Sequence, residues 1–115
     1  MNIFDMIGKE VTVTVDRPIG TYHPKHKDIF YKLNYGFIDG MIAPDGEFQD
    51  AYILGVEYPV KYFTGTVIAV IVRHNDVENK LVVSYETSFS EYDIRKATEF
   101  QEKYFDIEII MKSNN

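Results

Sequence analysis

The sequence predicts a mainly β protein of the α+β class, either a small antiparallel barrel or a sheet joined by one late helix. Three observations carry this. Val11-Thr12-Val13-Thr14-Val15 alternates with period two, and residues 66–72 form a long β-branched run. Aromatic residues reach 15%, all of them Tyr or Phe, which fit a pleated, half-buried surface. Only one segment, starting near Ser90, has helical spacing.

In chain order, the first strand holds its valines inward and ends at Pro18 and Gly20. Residues 17–28 mix Pro, Gly and five basic or His side chains and read as a long surface loop. Residues 29–31 and 35–38 are short strand candidates around Asn34 and Gly36. Pro44-Asp45-Gly46 is a turn signal, and residues 51–56 are an apolar strand. After Pro59, residues 66–72 read as a strand buried on both faces. The polar segment 73–80 is turn-like, and residues 81–85 return, so 66–85 reads as a hairpin. Ser90 with Asp93 matches a capping box. Ile94, Ala97, Phe100 (with Gln101) and Tyr104 follow on one face, which predicts a helix covering 91–104. Residues 105–111 turn extended, and Ser113, Asn114 and Asn115 read as a solvated tail. A chain of 115 residues suits one domain, 1–115.

Composition narrows the partners. The formal net charge of −6 disfavours nucleic acid, which needs clustered Lys and Arg, and disfavours an anionic membrane surface. No apolar run approaches the roughly 20 residues of a membrane span. Residues 1–10 carry Asp5, Lys9 and Glu10 and lack a signal-peptide core, so the expected compartment is the cytoplasm. There are no cysteines, which removes disulfides, thiolate zinc sites and cysteine nucleophiles. An acidic protein can still bind phosphate where metal ions supply the positive charge.

Four constellations have chemical content. Asp45, Glu47 and Asp50 place three carboxylates within six residues, with Gly46 letting the backbone bend so that they can converge on a hard cation. The plain alternative is an acidic turn leading into a strand. His23, Lys25, His26 and Lys27 form a basic loop suited to clamping phosphate, or simply a solvated loop. Tyr31, Asn34, Tyr35 and Phe37 read first as core packing, with a Tyr hydroxyl able to donate to a phosphate oxygen at a cleft. Asp76, Glu78 and Lys80 read as a polar turn that gains interest only if it faces the first acidic turn.

In this order, the segments resemble those of the soluble inorganic pyrophosphatases, from about residue 11 to 108. Tyr31-Lys32-Leu33-Asn34-Tyr35-Gly36-Phe37 resembles the family's Tyr-Pro-x-Asn-Tyr-Gly-Tyr. Asp45-Gly46-Glu47-Phe48-Gln49-Asp50 resembles its Asp-Gly-Asp-Pro-x-Asp metal signature. Asp76 to Lys80 with Leu81-Val82-Val83 resembles its Asp…Asp-x-Lys-Leu segment, and Phe100 to Asp106 its closing helix with a substrate-binding Tyr. The resemblance implies an OB-like β-barrel with one C-terminal helix and Mg²⁺-dependent hydrolysis of pyrophosphate, with Mn²⁺ as a substitute. It implies metal ligation by Asp45, Glu47, Asp50, Asp76 and Glu78, and phosphate contacts from Lys25, Lys80 and Tyr104. Asp50, Glu47 and Tyr35 would serve catalysis, Asp50 nearest the nucleophilic water. The partner implied is pyrophosphate or another phosphorylated small molecule, and a homo-oligomer is compatible with the family.

The chain also departs from that pattern. Glu47 and Glu78 stand where the family has Asp, Phe48 where it has Pro, and Phe105 where it has Lys. The segment between Pro18 and Tyr31 is short, where the family has a hairpin bearing an Arg and a Glu; Arg17, His23, His26 and Lys27 are the nearby candidates to substitute. Three readings follow: a pyrophosphatase, a metal- and phosphate-binding sensor without turnover, and a hydrolase of another phosphoanhydride such as a nucleotide.

Overall fold

The computed structural model describes residues 2–85 and 88–111, so the tail expected at Ser113, Asn114 and Asn115 lies outside the described residues. After a short 3₁₀ turn at Ile3–Met6 come β1 (Glu10–Arg17), β2 (Asn34–Ile42), β3 (Phe48–Ile53), β4 (Tyr62–Arg73) and β5 (Asn79–Ser84). The helix α1 (Glu91–Glu102) and β6 (Ile107–Ile110) complete the order.

The strands run β1-β2-β3-β5-β4, and β1 pairs again with β4, which closes a five-stranded barrel. A mainly β chain with a barrel and one late helix is thus the observed class. Closure depends on the twelve residues of β4. Its first half pairs with β1 (Val11↔Gly65, Thr14↔Tyr62). Its second half extends beyond β1 on that edge and pairs with β6 (Val70↔Ile110, Arg73↔Ile107). Its other edge takes β5, which is the predicted hairpin. One closure differs from an all-antiparallel barrel: β3 and β5 are parallel, with Ala51 opposite Leu81 and Ile53 opposite Val83. A polar turn returns β5 from β4, so β5 enters beside β3 in the same direction.

Alternation along the strands separates two cores. One draws on all five barrel strands, with Val13, Ile38, Ala51, Ile53, Val67, Val70, Leu81 and Val83, as inward positions of a closed barrel do. The other couples the opposite face to the helix through Tyr35, Tyr52, Leu54, Ile71, Val82, Ile94 and Ile109. β3 and β4 contribute to both, which explains their near-continuous apolar runs. At Gly36, opposite Val15, an added Cβ would lie 1.9 Å from the Thr14 carbonyl oxygen, so only glycine lets β1 and β2 approach.

The capping box at the start of α1 is present: Asp93 N–H donates to Ser90 Oγ at 3.1 Å, and Ser90 N–H to Asp93 Oδ2 at 2.9 Å. Three expectations need correction. The helix stops at Glu102 rather than 104, because Tyr104 and Phe105 fold back in tight turns onto Gln101 and Glu102 carbonyls. Tyr104 therefore leaves the helical face and is half exposed. Residues 29–31 form no strand of the sheet. Their backbone bonds instead go to Gly20, Thr21, His23 and His26 within the loop, where Tyr22 and Phe30 form an isolated bridge.

Candidate active site

Six elements, β1 to β5 and α1, converge with their connecting loops on one cleft of about 510 Å³, lined by Arg17, His23, His26, Asp28, Ile29, Tyr35, Asp50, Arg73, Asp76, Glu78, Lys80, Gln101, Tyr104 and Phe105. The parallel register of β3 and β5 makes Asp50 and Lys80 neighbours, and Lys80 Nζ donates to Asp50 Oδ2 at 2.7 Å. The same ammonium reaches Glu78 Oε2 at 2.9 Å. Lys80 is itself buried, which places its charge at the floor of the cleft rather than in solvent.

Arg73 ends β4 and is buried beside Lys80. Glu102 from the helix clamps it with two bonds, 2.9 Å to Nε and 2.6 Å to Nη2. Its remaining nitrogen, Nη1, lies 3.5 Å from Asp76 and 3.6 Å from Glu78. Its guanidinium also sits 3.7 Å over the Phe105 ring. Burial opposes the charge, but the Glu102 pair outweighs it, so the Arg73 pKa lies above the usual arginine value.

A line of side chains ties this arginine to the one across the cleft. Arg17 Nη1 donates to Tyr31 Oη at 2.7 Å, and Tyr31 donates to Gln101 Oε1. Gln101 Nε2 donates to Tyr52 Oη at 2.6 Å, and Tyr52 donates to Glu102 Oε2 at 2.6 Å. Every buried member therefore has a partner, which a low-dielectric core requires. Arg17 also lies over the rings of Tyr31 and Tyr35, 5.7 and 5.6 Å from their centroids.

The Tyr35 hydroxyl is pushed well above its ordinary pKa, by burial first and then by the Asp50 charge. It keeps its proton at neutral pH. Glu78 is raised by burial first and then by the neighbouring Asp45, against the pull of Lys80. Asp45 is lowered, with Glu78 the largest cause.

Of the residues singled out from sequence, Arg17, His23, His26, Tyr35, Asp50, Asp76, Glu78, Lys80 and Tyr104 line the cleft. Tyr104 bonds Asp28 Oδ2 at 3.2 Å. Asp45 does not line the cleft and acts on it only as a neighbour of Glu78. Glu47 and Lys25 are exposed and do not line it. Glu47 uses its backbone N–H to bond Asp45 and close the turn. The loop turns Lys25 outward by spending its N–H on His23 Nδ1. The five acids therefore do not gather as one set: among the described residues, no group of three or more His, Asp or Glu is arranged to hold a metal ion. Cationic nitrogens of Lys80 and Arg73 stand between the carboxylates instead. Arg73, Gln101 and Glu102 are the residues the sequence reading missed. Their only sequence signal is a charged residue capping a buried β-branched run.

No protein-family model matches the sequence, and no curated protein matches it. In structure, the chain is similar to an inorganic pyrophosphatase from Ehrlichia chaffeensis, at TM-score 0.69 and 19% identity, over 89% of this chain and 85% of that one. It is similar to one from Neisseria gonorrhoeae at TM-score 0.66 and 20% identity, over 84% and 74%. One from Thermus thermophilus gives 0.64 and 16%, over 95% and 84%. The likeness is one of fold.

Proposed function

Because the chain folds as the inorganic pyrophosphatases do, we propose that its cleft binds inorganic pyrophosphate with a divalent cation and hydrolyses the phosphoanhydride bond. The observation that carries this is the meeting of Arg17, Arg73 and Lys80 with Asp50, Asp76 and Glu78 in one cleft. A diphosphate is compact and highly charged, so three fixed cations suit its oxygens. The carboxylates would repel it unless a cation lies between.

The donor chemistry fits Mg²⁺, or Mn²⁺ in its place. Asp45, Asp50, Asp76 and Glu78 offer only hard oxygens. Asp50, Asp76 and Glu78 line one cleft, with Asp45 close enough to Glu78 to perturb its carboxyl group. Asp45, Asp50, Asp76 and Glu78 would hold the ion, which when bound supplies a water of lowered pKa and neutralises phosphoryl charge. The chain's own residues do the rest. Arg17, Arg73 and Lys80 bind and orient the two phosphoryl groups, and their hold on the leaving group supports the charge that develops there. Asp50, fixed by Lys80, accepts a proton from the attacking water. Tyr104, tied to Asp28 at the rim, limits access of bulk water.

Phosphate release from pyrophosphate and from several nucleotides, each with Mg²⁺ and with chelator, tests this. Release from pyrophosphate only with metal is the expected result; no release from any of them rejects turnover. One observation favours a second reading, binding without turnover: Lys80 already neutralises both Asp50 and Glu78 at 2.7 and 2.9 Å. Tight pyrophosphate binding by a protein that releases no phosphate would select it.

A further inference from the structure

The loop between β1 and β2 brings two imidazoles to the cleft that the proposed mechanism leaves without a role, His23 and His26. The His23 ring is the one held by its own loop. Its Nδ1 accepts from two backbone amides, Lys25 N–H at 3.0 Å and His26 N–H at 3.2 Å. A ring nitrogen that accepts carries no proton, so the neutral imidazole holds its proton on Nε2. Nε2 lies across the ring from those amides, and no partner for it occurs among the described residues. The ring is also held in place. It stacks on Tyr31 at 6.4 Å and 19°, and Tyr31 is pinned by Arg17 and Gln101. It tilts against His26 at 4.8 Å. Pro24 fixes the backbone angle between the acceptor ring and its two donors. Burial, then the charges of Arg17, His26 and Lys25, keep the imidazole below its ordinary pKa and outweigh Asp28, so it is neutral at neutral pH.

We propose that His23 is an anion-binding residue of the cleft: locked as the Nε2–H tautomer by its own loop, it donates that proton in a hydrogen bond to a phosphoryl oxygen of the bound diphosphate. The inference rests on the proposed function and specifies one contact within it. Arg17, Arg73 and Lys80 attract the anion from any direction within reach. A neutral N–H in a fixed ring adds direction, and it rewards an unprotonated oxygen at one place.

The test separates the ring's two nitrogens. His23→Asn keeps a short side-chain oxygen able to accept the same two amides, as in an Asx turn, and removes the distal donor. His23→Ala removes both. Methylene diphosphonate, which is not hydrolysed, is titrated calorimetrically with Mg²⁺ into the full chain. His23→Asn is expected to bind about tenfold more weakly with an unchanged melting temperature, the loss typical of one hydrogen bond to a charged group. His23→Ala is expected to show the same loss and a lower melting temperature. Nitrogen-15 spectra of the parent are expected to show Nε2 protonated, and to shift on adding the ligand. Parental affinity in His23→Asn, or a proton on Nδ1, overturns the proposal and leaves the proposed function standing. A parent that binds no diphosphonate overturns both.

Discussion

Removing Glu102 tests how the fold carries the cleft. Glu102 and Arg73 have side chains 1% and 4% exposed, and two hydrogen bonds join them. Tyr52 donates a third bond to the same carboxylate. Breaking a buried ion pair by deleting one partner costs about 3–5 kcal/mol, because the other charge is left in low dielectric. Arg73 keeps weaker contacts to Asp76 and Glu78 at 3.5 and 3.6 Å, which places Glu102→Ala at the lower end, about 3 kcal/mol. For a chain of this size that is a fall in melting temperature of about 12 °C. Urea denaturation followed by far-ultraviolet circular dichroism gives the free energy directly. The paired variant Arg73→Met with Glu102→Leu replaces two charges by apolar groups and is expected to recover most of the stability, while pyrophosphate affinity stays lost. A loss below about 1 kcal/mol in Glu102→Ala, within the range of an ordinary surface ion pair, would refute the argument and show that Asp76 and Glu78 suffice to hold Arg73.

Other outcomes follow from the same geometry. Asp50→Asn keeps the size and removes the proton acceptor, so phosphate release should fall by roughly a hundredfold or more, while the thermal melt stays cooperative but is lowered by loss of the Lys80 pair. Mg²⁺ should raise the parent's melting temperature by mass action, with about 2.7 kcal/mol of stabilisation at a hundred times its Kd, and should do so far less in Asp45→Asn with Glu78→Gln. Gly36→Ala drives a methyl group into the Thr14 carbonyl and should cost about 3 kcal/mol or leave the chain unfolded, as a denaturation curve will show. His23 has a native pKa below its ordinary 6.5, so as pH falls through 6.5 the unfolded chain takes the proton first and stability drops. Melting temperatures from pH 8 to 5 should show a shallower decline in His23→Asn than in the parent.

The barrel was legible because its signals are local. Val11 to Val15 alternate along one strand, and Ser90 with Asp93 carries both halves of a helix cap three residues apart. Residues 66–72 looked buried on both faces, and they are, because β4 serves two cores. The site was legible only in its carboxylates and Lys80. Arg73 reads as the start of a polar turn, since nothing near it in sequence announces that Glu102 will neutralise it from the helix. Lys25 and His23 sit two residues apart in the same loop, and sequence favours the lysine as the phosphate contact. In the structure His23 lines the cleft and Lys25 does not, and the Lys25 amide bonds back to the imidazole. Acidic spacing and the family resemblance both single out Glu47, whereas the turn at Gly46 leaves it exposed and outside the cleft lining.

The parallel seam between β3 and β5 bears on how the chain acquires its binding site. Asp50 and Lys80 are thirty residues apart, and they meet only when the β4–β5 hairpin docks along β3. Non-local docking of this kind comes after the local turns and hairpins during folding, because a long loop must close before any contact rewards it. The cleft is therefore a property of the closed barrel and of no fragment. Recovery of anion affinity during refolding would serve as a clock for barrel closure, lagging behind the circular-dichroism signal of its separate hairpins.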